Sequence, residues 1–215
     1  MHMETVIPIF PLGLVLLPEV YLPLHIFEER YKLMTNVCIE QRKEFGIVYF
    51  SGKPFQTIGC TARIVEILKR YDDGRLDIMT RGRNRFVIKE LLDEKPYLQA
   101  KVDYFDDQPP KKTKRETLQK LADRGLQLLR KINPITQQYK EDQFTNQPDV
   151  KLVSFLMAAC DGFSLEEKQR FLEMTSTAKR LSKAAEALEK LFERLTITSK
   201  IERIIGGNGN LPKLL

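Results

Sequence analysis

Apolar positions in the first half of the chain alternate with polar ones in short runs, whereas those in the second half recur every three or four residues. Period two marks half-buried strands and period 3.6 marks amphipathic helices, so the pattern predicts strands first and helices second, an α+β chain. Between Ile9 and Tyr31 the apolar runs are punctuated by Pro11, Pro18 and Pro23, with Pro8 just before them. Proline has a fixed φ and no N–H, and is confined to strand edges, strand starts and bends. This stretch predicts a pair of short bent strands that hands over to a helix. In that helix Phe27, Tyr31, Met34 and Cys38 share one face, and Glu28 and Glu29 fall in the first turn, where carboxylates oppose the helix dipole.

Phe45–Ser51 is a short apolar run and predicts a buried strand. Residues 60–70 and 75–80 alternate on either side of Asp72-Asp73-Gly74, which is turn chemistry, so they predict a hairpin. Arg81-Gly82-Arg83-Asn84-Arg85 predicts a second break before a strand at Phe86–Ile88, and residues 97–105 alternate once more. About six short, mostly antiparallel strands with one inserted helix suit a barrel, which removes exposed edges. The predicted barrel covers residues 6–105.

Residues 106–113, polar and carrying Pro109-Pro110, predict a linker. The helical part is expected over 114–205. Its first helix carries Leu118, Leu121, Leu128 and Ile132 near one face, is weakened by Gly125 by about 1 kcal/mol relative to alanine, and should end at Asn133-Pro134. Pro148 suits the first turn of the next helix, whose Leu152, Phe155, Leu156 and Ala159 form a stripe. Ser164-Leu165-Glu166-Glu167 has the form of a capping box. Ser176 or Thr177 can cap the last and longest helix, and residues 206–215 read as a flexible tail.

Composition changes this picture little. Hydrophobic residues make up 42% and charged residues 30%, as in ordinary globular proteins, and no run is long and apolar enough to span a bilayer. The N-terminus lacks the pattern of an export signal, so a cytoplasmic location is expected. Cys38, Cys60 and Cys160 lie far apart, against both a disulfide framework and a zinc site. The net charge of +6 is spread among acidic residues rather than gathered in one stripe, which argues for a solvated mixed surface and against nucleic acid.

Candidate chemistry is sparse. Ser51-Gly52-Lys53-Pro54 lacks the first glycine, the hydroxyl and the following helix of a P-loop. Beyond His2 near the terminus, His25 is the one histidine available as a base. No serine or cysteine motif supplies a nucleophile beside it, so its expected role is to orient the strand-to-helix corner through a hydrogen bond. No catalytic residue, metal ligand or cofactor site is assigned. Glu28 and Arg30 are charged residues inside an apolar stretch and are expected to be paired, with Arg81, Arg83 or Arg85 as candidate partners for Glu28.

Pro23-Leu24-His25-Ile26-Phe27-Glu28-Glu29-Arg30-Tyr31, preceded by Ile9-Phe10-Pro11-Leu12, resembles the opening of the Lon protease N-terminal domain, also called the Lon substrate-binding domain. Gly59–Ile67, Asp73–Ile78, Gly82-Arg83 with Arg85-Phe86, Pro96-Tyr97-Leu98, Glu166–Gln169 and Ser176–Leu181 resemble later segments of that family. The resemblance implies a PUA-like barrel joined to a helical bundle that ends in a long helix. It also implies a non-enzymatic module that recognises unfolded or degron-bearing polypeptide, without ATPase or protease machinery, and with a separate protease or chaperone as candidate partner. Pro23, Leu24, Phe27 and Tyr31 are the candidate contact residues. In this motif His25, Glu28 and Arg30 are signature positions without a catalytic role. The competing reading is RNA binding by a PUA-like barrel, which needs Arg81, Arg83, Arg85, Lys111, Lys112, Lys114 and Arg115 on one phosphate-binding surface.

Overall fold

The structure is a computed structural model that describes residues 5–52, 55–109, 115–136 and 149–207, with side chains described to residue 132 in the first of the later helices and to residue 202 in the last. In chain order the elements are β1 (Thr5–Leu12), β2 (Tyr21–Ile26), α1 (Glu29–Gln41), β3 (Phe45–Tyr49), β4 (Ile58–Arg70), β5 (Leu76–Leu92), β6 (Gln99–Phe105), α2 (Arg115–Thr136), α3 (Val150–Ala159), α4 (Leu165–Glu173) and α5 (Thr177–Gly207).

The strand order is β2-β5-β4-β3-β1-β6, and β5 also pairs with β6, so the sheet closes on itself. Strand β5 is the hub. Its C-terminal half meets β6 from Arg85↔Phe105 to Leu92↔Gln99, while its N-terminal half meets β2 from Leu76↔Ile26 to Arg81↔Tyr21. The barrel is therefore β5-β6-β1-β3-β4, and β2 with the adjoining halves of β5 and β4 forms a three-stranded flap beside it. All pairings are antiparallel except β1 with β3, aligned at Ile9↔Gly46. Ile7, Ile9, Val48, Phe86, Ala100 and Val102 form a compact cluster of their own among these strands.

Two expectations fail here. β1 and β2 do not pair with each other, because β1 lies between β3 and β6 while β2 lies on β5. The break expected at 81–85 does not occur either, and β5 runs unbroken for 17 residues. Gly82 marks a close backbone approach rather than a turn, as isolated strand glycines often do. Val20 N–H donates to Leu17 O at 3.3 Å across a turn with Pro18 second and Glu19 third, where Glu19 has φ 66°. This turn sits on Gly82: Glu19 N–H donates to Gly82 O at 2.8 Å, and Gly82 N–H to Val20 O at 2.9 Å. A Cβ on Gly82 would come within 2.2 Å of Leu17 O.

In the helical half α3 is buried along its whole length from Val153 on, so its apolar stripe widens into all-round burial between α2, α4 and α5. Gly125 of α2 lies where a Cβ would strike Met157 of α3, so its small size admits a neighbouring side chain. Helix α2 continues through Asn133-Pro134 to Thr136, because a proline removes one hydrogen bond and need not end a helix already near its last turn. Asp149 caps α3, which places Pro148 before the helix and outside the described residues. The Ser164–Glu167 capping box is present, and Ser176 caps α5 through its Oγ, which accepts from Lys179 N at 3.4 Å. Helix α5 runs to Gly207; the rest of the expected tail, 208–215, lies outside the described residues, as do His2 and residues 110–114 with Lys111, Lys112 and Lys114.

Candidate polypeptide-binding groove

Helix α1 buries Tyr31, Met34 and Cys38 at three- and four-residue spacing against the barrel and flap. It ends at Arg42, whose φ of 53° and ψ of 35° are left-handed. Lys43 N–H donates to Cys38 O at 3.0 Å and Arg42 N–H to Ile39 O at 3.3 Å, the hydrogen-bond pair of a Schellman motif. That motif stops the helix abruptly above strand β4. A groove of about 600 Å³ remains between them, walled by Cys38, Ile39, Arg42 and Lys43 on one side and by residues 63–67 of β4 on the other.

Strand β4 shapes the groove through its pairing. Strand β3 accompanies it only from Gly59 to Ala62, so from Arg63 onward β5 is its one strand neighbour among the described residues. The β4–β5 register shifts between Ile64 and Glu66 and again between Ile67 and Lys69. Val65 and Leu68 are the extra residues, and both stand exposed. Bulges insert one residue and bend the strand; alternation from buried Ala62 would send Glu66 and Leu68 inward, whereas the bulge at Val65 leaves both exposed and turns Ile67 inward. Ile64, Ile67 and Ile39 are half-buried and give the groove an apolar lining beneath a basic rim. Cys38 is sealed off from reaction: burial pushes its thiol up to about 11, only partly offset by the charge of Lys43.

None of the residues singled out from sequence as contacts lines this groove. Pro23 is exposed on edge strand β2, Leu24 is half-buried against the core, and Phe27 is 59% exposed ahead of α1. Tyr31 is corrected to a core residue, stacked on Phe10 with ring centroids 4.0 Å apart, because it is the first inward position of α1. His25 Nδ1 lies 2.5 Å from Asp77 Oδ1, and Tyr71 OH donates to Asp77 Oδ2 at 2.8 Å, a cluster that fastens β2 to β5. The hydrogen bond from His25, followed by that from Tyr71, holds the Asp77 carboxyl below the usual range. Among the described residues no group of three or more His, Cys, Asp or Glu side chains is placed to hold a metal ion.

The expected partner of Glu28 is also corrected. Glu28 pairs with Arg30, two residues on, at 2.7 Å. Arg81 and Arg83 both reach Glu19 instead, at 2.5 and 3.0 Å, since the turn seated on Gly82 brings that carboxylate between them. Arg85 points the other way, to Asp107 at 2.6 Å, and donates to the carbonyls of Leu172 and Met174 at 3.0 and 2.6 Å. Asp107 also accepts from Arg180 of α5, and Thr177 donates to the same carboxylate. Arg180 completes its bonding with Ser154 Oγ at 2.8 Å and Met174 O at 2.8 Å, and its guanidinium lies 3.8 Å from the Phe155 ring centroid. Residues 106–109 are irregular, as a linker would be, yet their side chains are not a passive spacer. All three arginines are thus committed to carboxylates, and Arg85 points away from Arg81 and Arg83. A second, polar cavity of about 260 Å³ beside Arg83, Asp106 and Lys151 has its charges paired, Lys151 lying 2.5 Å from Asp106.

The groove itself could have been suspected in the sequence. The doublets Ile64-Val65 and Ile67-Leu68 interrupt an otherwise alternating strand, and each contains the bulged residue.

Comparison with known proteins supplies the context for this geometry. Residues 6–190 match the family described as the ATP-dependent protease La (LON) substrate-binding domain. The chain is 26% identical over 208 residues to a Lon protease of Cytophaga hutchinsonii, covering 92% of this chain and 26% of that protein. It is 28% identical over 220 residues to Lon protease 2 of Myxococcus xanthus, covering 94% and 26%. The chain therefore spans about a quarter of the length of the curated relatives it matches. Among solved structures it resembles a Lon N-terminal domain protein from Xanthomonas campestris, with TM-score 0.63, 21% identity and coverage of 83% of this chain and 96% of that one. It also resembles the N-terminal domain of a Mycobacterium avium complex Lon protease, with TM-score 0.66, 14% identity and coverage of 86% and 98%. At these identities the two structures speak for the fold. The family match runs from the second residue of β1 deep into α5, takes in barrel and helices alike, and places this chain in the Lon substrate-binding domain family.

Proposed function

We propose that this chain is a non-catalytic module that captures unfolded or degron-bearing polypeptide in the groove between α1 and β4. One observation carries the reading: an apolar groove runs directly beside a strand edge that pairs with no other strand among the described residues. Extended peptides bind at such edges through main-chain hydrogen bonds while pockets take alternate side chains. Exposed Phe27 and Pro23, toward the other end of α1, extend the surface for longer segments. The family's substrate-binding description supports the same reading. Handing captured chains to a separate protease or chaperone is the role that follows. Three buried cysteines, none in a disulfide, suit a reducing compartment, and we place the protein in the cytoplasm.

The test is fluorescence anisotropy with a labelled, permanently unfolded protein. Binding in the micromolar range, weakened about tenfold or more by Val65→Asp in a chain that melts normally, is the expected result, a loss equal to about 1.4 kcal/mol. Failure to bind at ~100 μM, the range of non-specific contact, would remove the proposal.

A further inference from the structure

We infer that the groove selects segments in which acidic and apolar residues alternate, taken up in extended form as an added strand on the open edge of β4. This rests on the polypeptide-capture reading above and names the class of ligand for that same site.

Three observations lead there. The first is charge. The residues lining the groove include Arg42, Lys43 and Arg63 but a single carboxylate, Glu66. Arg63 is held by Glu44 at 2.9 Å, whereas Arg42 and Lys43 have no carboxylate partner among the described residues. Lys69 and Arg70 continue the basic character along the same strand. The second is backbone conformation. Arg42 occupies the left-handed position of a Schellman motif, where glycine is unstrained and an arginine is not. A basic side chain is held at the groove in a conformation that local stability disfavours, as strained residues at binding sites often are.

The third is the shape of the edge. Side chains of a strand alternate between two faces, so a segment lying along β4 sends every second residue onto Ile39, Ile64 and Ile67 and the others toward Arg42 and Lys43. Apolar residues suit the first set and carboxylates the second. The bulges at Val65 and Leu68 twist the edge, which limits pairing to a short segment of about five residues and disfavours open-ended sheet growth.

The experiment uses the full chain and three labelled twelve-residue peptides that share the same alternating valine and leucine positions, with Glu, Ser or Lys between them. At low salt the Glu peptide should bind about tenfold more tightly than the Lys peptide, with Ser between, since the two rim cations favour one and oppose the other. In the double variant Arg42→Gly, Lys43→Ser the ratio of Glu to Lys affinities should fall to within about twofold of one. Methylating alternate backbone nitrogens of the Glu peptide should weaken it at least tenfold, which separates strand addition from charge attraction alone. Equal binding of all three peptides would overturn the inference while leaving polypeptide capture standing. Binding of none would remove both. A ratio unchanged in the double variant, or displacement of the Glu peptide by stoichiometric single-stranded RNA, would also overturn the inference, the latter by marking the rim as a nucleic-acid surface.

Discussion

Arg180 and Asp107 meet fork to fork: both carboxylate oxygens of Asp107 accept from the Arg180 guanidinium, at 3.2 and 2.5 Å. One residue follows the last strand of the barrel and the other sits in the first turn of the longest helix, so this pair, with Arg85 of β5, locks the two halves of the molecule. Its side chains are 0%, 8% and 1% exposed for Arg180, Asp107 and Arg85. Two buried guanidiniums sharing Asp107 are tolerable because Asp106 Oδ1, 3.4 Å from Arg85, the carbonyls of Leu172 and Met174, Ser154 Oγ and the face of Phe155 take up the remaining donors and charge.

Removing the shared acceptor should therefore be costly. Asp107→Ala leaves buried Arg180 without its carboxylate and Arg85 with only Asp106 at 3.4 Å, and about 3–5 kcal/mol of stability should be lost in urea denaturation. A loss under ~1 kcal/mol, the scale of a surface pair, would mean that the network is incidental.

The same lock sets the acid limit of the fold. Burial alone would raise the Asp107 carboxyl, but hydrogen bonds from Arg180 and Thr177 and the charges of Arg180 and Arg85 outweigh it and hold it below the ordinary range. Asp106 is held low too, burial being outweighed by Lys151 above all. A carboxyl depressed in the folded state stabilises fully above its unfolded value, about 3.9, and loses that contribution as pH falls through the folded value. Urea midpoints should drop below about pH 4, and Asp107→Asn should flatten that drop.

Arg42→Gly should move stability and capture in opposite directions. Relief of a left-handed arginine is worth about 1 kcal/mol, so the thermal midpoint should rise by several degrees while the acidic peptide binds more weakly. A variant that melts earlier would contradict the strain assigned to this position.

Tyr31 and Phe27 should separate cleanly. Tyr31→Ala opens a cavity against Phe10 and should cost about 3–5 kcal/mol, whereas Phe27→Ala should change stability by about 0.5 kcal/mol or less. If Phe27 extends the capture surface, its loss should weaken a long unfolded substrate more than a twelve-residue peptide. The helix between Phe27 and the groove spans about 20 Å.

Gly82→Ala places a Cβ against backbone rather than a movable side chain, 2.2 Å from Leu17 O. Equilibrium unfolding should show a loss of more than about 2 kcal/mol, with the turn at Glu19 displaced.

Local chemistry was legible in the sequence, and long-range chemistry was not. The Asp72–Gly74 hairpin, the Ser164 capping box, the buried face of α1 and the change from strands to helices follow from periodicity and caps, which act within a few residues. Glu19 as partner of Arg81 and Arg83, and Asp107 as partner of Arg85 and Arg180, join residues far apart in the chain through turns whose placement no periodicity encodes. The arginine-rich stretch at 81–85 read as a break because glycine and charge mark turns locally. In the fold, the same glycine admits a crossing backbone and the charges find distant carboxylates. The groove lies in between: its doublets were visible, but only the strand register shows that they are bulges beside an open edge.

The pairing of β1 with β6 also sets a timetable. Thr5 faces Val102 and Pro8 faces Gln99, so one side of the first strand synthesised waits for the last. At ~5–20 residues per second, roughly a hundred residues of further synthesis leave that side uncovered for about 5 to 20 s. Ile7 and Ile9, buried in the finished barrel, are accessible meanwhile, and Pro11, whose nitrogen lies on the same edge as the Ile9 N–H, denies an intruding strand one of the donors it would need. For those seconds the nascent chain belongs to the same class of ligand that its completed groove is proposed to hold.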